Sequence, residues 1–506
     1  MIRGPRSPIL PCLWLILSAC EAGPSAFDKR EAEAGPEDTA DVSTLPEVPH
    51  APDVEPQFPE VLAARGPQDT ARGGEAGIPL DDSVGGRSVP EPGAVKDPGA
   101  PPSAGHAPAG EARFPRPEHV RGLYVNAWAA GSTRRMDAIL DVIRRTEVNS
   151  LVIDMKDASG YVSHATRVPL ARGIGATEEI RIRDLPGLLE RLEDEGVYPI
   201  ARIVVVKDPV LAEARPELAV QDTAGGVFVD SKGLKWLNPY SRAVWDYHVD
   251  IAREVAEMGF PEIQWDYVRF PDLPDSDKVR AVYPGAGPTS RPDAIRGFLA
   301  YARQSLSELD VVVTADVFGV TTSASRDVGI GQVWESFIGA VDVALPMVYP
   351  SHYWTGSFGF DRPNAHPYEV VRNALDDAIR RSSSVDSAGA TRPWLQDFTL
   401  GEPVYGVPEV RAQIQATYDA GIQEWILWNP GSRFTIGALE PVDGFPFEPI
   451  MRVADLVIPV SLRWTLLDSA TVEPLMGPDS VGAAGPDSLI TAPDSAGRSP
   501  ASDSRR

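Results

Sequence analysis

The residues best suited to chemistry in this chain are carboxylates at the ends of apolar runs. Asp266 closes the run Pro261-Glu262-Ile263-Gln264-Trp265 and is followed by Tyr267, Val268, Arg269, Phe270 and Pro271. A desolvated carboxylate costs on the order of several kcal/mol unless it is paired or has a chemical task. Arg269 is expected to pair with Asp266 and hold it ionised. Asp316, in Val313-Thr314-Ala315-Asp316-Val317, sits between apolar neighbours that raise a carboxyl pKa, as a general acid requires. Asp154 and Asp397 hold the same position after Leu151-Val152-Ile153 and Trp394-Leu395-Gln396. Cleaving a glycosidic bond needs two such groups. One protonates the leaving oxygen and the other attacks the anomeric carbon or activates water. Asp266 is the first choice, Asp316 the second, and Asp397 and Asp154 stand in reserve.

Other chemistries find less support. The seven histidines show no His-x-x-x-His or comparable ligand spacing, so neither a metal nor a cofactor is expected. No Gly-x-Ser-x-Gly elbow occurs, which disfavours a lipase-like triad. The two cysteines, Cys12 and Cys20, both lie in the N-terminal segment, so thiol catalysis is not expected. A formal charge of −25 over 506 residues argues against a nucleic-acid partner.

These carboxylates need elements to position them. From about Phe114 to Ser469 eight short apolar runs alternate with amphipathic segments. The runs are Gly122–Ala127, Ser150–Asp154, Tyr198–Val206, Glu262–Tyr267, Val311–Val317, Val341–Val348, Trp394–Phe398 and Glu424–Trp428. Several helical segments end in glycine, as at Gly196, Gly259 and Gly421, which suits a helix C-cap. Alternation of this kind implies a parallel sheet, and continuous apolar runs imply that both faces are covered. Eight strands in about 350 residues predict an α/β fold, a (β/α)8 barrel. An open doubly wound sheet is the rival, but no strand is followed by a glycine-rich phosphate loop.

In such a barrel the site lies at the C-terminal ends of the strands. Polar groups collect there in nearly every run. Asn126, Trp128, Lys156, Tyr267, Arg269, Tyr349, His352 and Trp428 are expected to line subsites for a carbohydrate. Asp157 and Asp208 read as loop or helix-capping residues. If Asp266 points into the barrel, Trp265 points out.

The termini have another character. Arg3 and Arg6, the apolar stretch Ile9–Leu17 and Ser18-Ala19-Cys20 make an export signal over residues 1–20 rather than a spanning helix. Leu17-Ser18-Ala19-Cys20 resembles the bacterial lipobox, which implies lipidation at Cys20. The following Glu21 favours an outer-membrane or cell-surface location. Residues 21–113 are rich in Pro, Gly, Ala and Glu and lack apolar periodicity, so they are expected to form a disordered tether. Residues 470–506 are expected to form a disordered tail. The expected protein is an exported monomer that meets the membrane through its lipid alone.

Five ordered motifs carry a family resemblance. They are Arg121-Gly122-Leu123-Tyr124-Val125, Val152-Ile153-Asp154-Met155-Lys156-Asp157, Glu262 to Pro271, Ala315-Asp316-Val317-Phe318-Gly319 and Pro346-Met347-Val348-Tyr349-Pro350-Ser351-His352-Tyr353. Over about residues 118 to 445 the chain resembles a largely uncharacterised bacterial domain family of the glycoside hydrolase type, distantly related to amylase-type barrels. The resemblance implies a TIM barrel acting on sugars. It implies Asp266 as the strand-four nucleophile and Asp316 as the strand-five acid, where amylases usually carry Glu. The other large barrel clan uses strands four and seven, which would pair Asp266 with Asp397. A non-catalytic polysaccharide-binding barrel is the alternative.

Overall fold

The computed structural model describes residues 112–469. The signal peptide over 1–20 with its Cys20, residues 21–111 of the expected tether and the expected tail 470–506 lie outside the described residues.

Eight parallel strands form the centre: β1 (Arg121–Val125), β2 (Ser150–Lys156), β3 (Tyr198–Val204), β4 (Glu262–Asp266), β5 (Val312–Phe318), β6 (Val343–Met347), β7 (Trp394–Gln396) and β8 (Trp425–Trp428). Each pairs with the next, β8 pairs with β1, and the sheet closes on itself. Helices follow the strands in turn: α1 (Thr133–Arg145), α2 (Leu185–Asp194), α3 (Arg242–Glu257), α4 (Arg291–Leu306), α5 (Trp334–Phe337), α6 (Pro367–Ser382) and α7 (Val407–Asp419). This is the (β/α)8 barrel that the alternation predicts. Left-handed Gly196, Gly259 and Gly421 follow α2, α3 and α7, where only glycine takes φ of +66°, +118° and +85° without strain.

Strand alternation sorts the side chains. On β4, Glu262, Gln264 and Asp266 share one face, while Ile263 and Trp265 take the other. Trp265 packs edge-on against Phe298 of α4 with ring centroids 5.2 Å apart, so it faces the helical layer as expected. A bulge on β2 breaks the alternation. The register shifts between Asp154 and Lys156, and Lys156 pairs with Ile203 of β3.

Strand seven comes in two pieces. Ala390–Thr391 pairs with the start of β6, and β7 continues beyond Arg392 and Pro393. Proline has no N–H for the ladder, which accounts for the gap. The fully buried Arg392 pairs with Glu262 at 2.6 Å and Glu424 at 2.9 Å, at the N-terminal ends of β4 and β8. Breaking a buried pair from one side leaves charge uncompensated. Arg392→Met should therefore lower the unfolding free energy by about 3–5 kcal/mol in urea denaturation. A loss under about 1 kcal/mol would show that the two glutamates find other partners.

Candidate active site

At the opposite end of the barrel three neighbouring strands deliver Asp154, Arg202 and Asp266 side by side. Asp154 is in register with Arg202, and Val204 with Asp266. The Arg202 guanidinium donates from Nη1 to Asp154 Oδ1. It also donates to Asp266 Oδ2 from Nε at 3.0 Å and from Nη2 at 2.5 Å. Its Nε lies 3.8 Å from Asp316 Oδ2 on β5. One rigid fork thus serves two carboxylates and approaches a third.

Other fixed donors hold the three carboxylates as well. Tyr124 on β1 donates its hydroxyl to Asp154 Oδ2 at 2.5 Å. The backbone N–H of Tyr267 donates to Asp266 Oδ1 at 2.5 Å. Tyr267 itself is left-handed at φ +52°, a strained backbone for a bulky residue that re-aims the chain immediately after Asp266. Gln264 Nε2 donates to both oxygens of Asp316, at 2.9 and 3.1 Å, and Trp394 Nε1 donates to Oδ1 at 2.7 Å.

The two lead carboxylates therefore live in different surroundings. Asp266 has two bonds from a cation. Burial pushes the Asp316 carboxyl well above its usual range, and the negative Asp266 pushes it further, against the pull of Arg202 and of its two donors. Burial also raises Asp154, opposed chiefly by Arg202. Asp266 Oδ2 is 3.0 Å and Asp316 Oδ2 3.8 Å from the same nitrogen, so the two oxygens stand no more than about 7 Å apart. Among the described residues no group of three His, Cys, Asp or Glu side chains is arranged to hold a metal ion.

Above this centre opens a cleft of about 700 Å³. Asp154, Asp266 and Asp316 line it, together with Asn126, Trp128, Tyr267, Tyr349, His352 and Trp428. Tyr349 and Trp428 stack with centroids 5.5 Å apart, and Tyr124 meets Trp394 edge-on at 6.2 Å. The cleft thus has a charged half on β2–β5 and an aromatic half on β6, β7, β8 and β1. Burial lowers His352 to about 4, so it meets a ligand as a neutral hydrogen-bonding ring near pH 7.

Three of the residues expected at the site, Lys156, Arg269 and Asp397, lie outside the cleft lining. The bulge after Asp154 turns Lys156 away, and it is buried against Asp208 at 2.9 Å and the Val204 carbonyl at 2.9 Å. Arg269 does not pair with Asp266. It donates to the Phe270 carbonyl at 3.1 Å, and its guanidinium lies over the rings of Phe318 and Tyr267 at 4.7 and 4.9 Å. Arg202 takes the place foreseen for it. Asp397 accepts from the backbone N–H and hydroxyl of Thr435 at 2.8 and 2.6 Å, which fastens the loop after β8 and does not pair it with Asp266. Of the two residues read as loop or capping groups, Asp208 caps a short helix by accepting from Leu211 N at 2.8 Å, and Asp157 holds its loop by accepting from Ser159 N at 3.0 Å while also lining the cleft.

Sequence reasoning passed over Tyr124, Gln264 and Trp394 as site residues. A signal existed for two of them: Tyr124 lies two residues before Asn126 and Gln264 two before Asp266, hence on the same strand face. Nothing local marks Trp394, because its partner Asp316 is 78 residues away.

A family model described as "Putative glycosyl hydrolase domain" matches residues 122–434. No curated protein matches the chain. Among solved structures, a hypothetical protein from Ruminiclostridium thermocellum is 39% identical, over 38% of this chain and 97% of its own, with a TM-score of 0.36. The PgaB (BpsB) glycoside hydrolase domain from Bordetella bronchiseptica is 15% identical, over 62% of this chain and 95% of its own, with a TM-score of 0.44. The spore cortex-lytic enzyme SleL from Bacillus megaterium is 12% identical, over 64% of this chain and 73% of its own, with a TM-score of 0.38.

The Asp397 latch can be tested by pH. Burial pushes its carboxyl up to about 6, against its Thr435 bonds. A folded value above the ordinary 3.8 means that the fold prefers the acid form. The stability from this group is complete at low pH and is lost as pH rises through about 6. The gap corresponds to about 3 kcal/mol. Asp397→Asn does not titrate. The stability of the wild type relative to this variant should fall by up to about 3 kcal/mol from pH 4 to pH 7 in urea denaturation. A flat or rising difference would refute the assignment.

Proposed function

The chain belongs to that glycosyl hydrolase domain family, and we propose from this footing that it hydrolyses glycosidic bonds of a polysaccharide, with Asp266 and Asp316 as its two working carboxyls. The observation that carries the reading is their pairing within about 7 Å in unlike surroundings, one bound by a guanidinium and one pushed toward its protonated form by burial. An ion-paired carboxylate beside a buried carboxyl with a raised pKa can divide the roles of base and acid.

In this mechanism Asp316 gives its proton to the departing glycosidic oxygen while Asp266 attacks the anomeric carbon. The bond to the leaving sugar breaks as the bond to Asp266 forms. Asp316, now a carboxylate, takes a proton from water, and the resulting hydroxide displaces Asp266 from the sugar. Retaining enzymes hold their carboxyls about 5–5.5 Å apart and inverting ones about 6.5–9.5 Å, so the configuration of the released sugar tests this direct attack. Arg202 supplies the counter-charge for Asp266 and orients it. The aromatic half of the cleft offers ring faces to the sugar. The lipobox-like Leu17-Ser18-Ala19-Cys20 supports an exported enzyme anchored at the cell envelope through Cys20. Cys20→Ser should then move the protein from the membrane fraction to the soluble one.

Reducing-end release from bacterial exopolysaccharides tests the catalytic reading. Asp266→Asn and Asp316→Asn should each lower kcat/KM by on the order of 10²–10⁴-fold. Activity should fall as pH rises through the Asp316 pKa, because the acid must be protonated. That alkaline limb should lie above the ordinary carboxylate range. Wild-type rates in either variant would sink the assignment. Binding of polysaccharide by the wild type with no hydrolysis would favour the non-catalytic barrel instead.

A further inference from the structure

One exposed tryptophan at the cleft is held with more structure than a surface residue needs. Trp128 lies in the helical turn Ala127–Ala130 that follows β1. Its three neighbours in the turn are buried, while Trp128 is 44% exposed and lines the cleft. Large exposed indoles are uncommon, and an immobile one is more informative than a mobile one.

Two sets of contacts restrain it. Asn126 caps the turn, accepting from Ala129 N at 2.9 Å and donating to the Pro430 carbonyl at 3.0 Å. The Arg181 guanidinium lies 5.4 Å from the centre of the Trp128 ring. Arg181 is only 7% exposed and is itself held by Asp157, by Glu179 at 2.6 Å and by Ser159 Oγ at 3.0 Å. Two carboxylates and a hydroxyl thus hold a buried cation that faces two rings, Trp128 and, at 5.7 Å from its centre, Tyr161. The backbones of the two segments also press together. A Cβ on Gly131 would stand 1.9 Å from the Arg181 carbonyl oxygen, so only glycine lets the turn seat against that loop.

The position matters as much as the rigidity. The platform stands beyond the ends of β1 and β2, whereas Asp266 and Asp316 are on β4 and β5. We propose that Trp128, backed by Arg181, is a stacking site for a pyranose ring some units away from the cleaved bond, so that the natural substrate is a polymer rather than a small glycoside. This rests on the glycosidase reading above. An aromatic face takes the C–H face of a sugar, and a ring already fixed loses little entropy on binding. Asp157 and Glu179 together outweigh the charge of Arg181, so the site suits a neutral sugar face better than an anionic one.

The test uses the full chain, 4-nitrophenyl monosaccharides, and disaccharide to decamer fractions from partial acid hydrolysis of bacterial exopolysaccharides. Trp128→Ala should raise KM for the longest oligomers by about 10-fold more than for the aryl glycosides, and Trp128→Tyr should restore most of the difference. Gly131→Ala, which displaces the support and keeps the indole, should show the same length-dependent loss in smaller degree. Titrating the Asp266→Asn variant with decamers should change its tryptophan fluorescence, and adding Trp128→Ala should remove most of that change. Equal losses on short and long substrates, or none on either, would overturn the platform while leaving the catalytic pair standing. Failure of the wild type to cleave anything would overturn the glycosidase reading, and the fluorescence titration would still decide whether Trp128 meets the polymer.

Discussion

The guanidinium of Arg202 is the interaction on which the site depends. Asp154, Asp266 and Asp316 converge in a space that excludes most water, where like charges repel strongly and each carboxylate has lost its hydration. Arg202 donates to two of them and stands 3.8 Å from the third. Its planar fork fixes their directions as well as their charge, which a lysine could not do. Arg202 bonds Asp266 twice and only approaches Asp316, whose carboxyl burial pushes well above its ordinary range.

The barrel provides the frame for that sharing. Adjacent parallel strands set Asp154 beside Arg202, and β4 sets Gln264 and Asp266 on one face. A second guanidinium, Arg392, neutralises Glu262 and Glu424 at the other end. The interior thus carries an ion-pair cluster near each end, with apolar residues such as Trp265 turned toward the helices. The same strand, β4, contributes Glu262 to one cluster and Asp266 to the other.

Departures from regular geometry occur where side chains must be re-aimed. The bulge on β2 keeps Asp154 in the cleft and sends Lys156 to Asp208. The left-handed Tyr267 brings its own N–H onto Asp266 and leaves its ring at the cleft. Asp397 fastens the loop after β8, which carries Pro430 into the cleft and receives the Asn126 amide.

Sequence alone determined the alternation of strands and helices, the barrel class, the outward face of Trp265 and the carboxylates at strand ends. These follow from apolar periodicity and strand direction, which are local properties of the chain. It did not determine who pairs with whom. Arg269, three residues from Asp266, was the natural local partner, yet Arg202, 64 residues away, takes that place. Trp394 reaches Asp316 across 78 residues. Barrel closure and strand register fix such contacts, and both are set by the packing of the whole sheet. The bulge at Lys156 and the turn at Tyr267 likewise depend on neighbouring strands. Local sequence could therefore name the carboxylates, and only the tertiary structure could say which of them share a cation, which has its pKa raised by burial beside another carboxylate and which bonds the loop after β8.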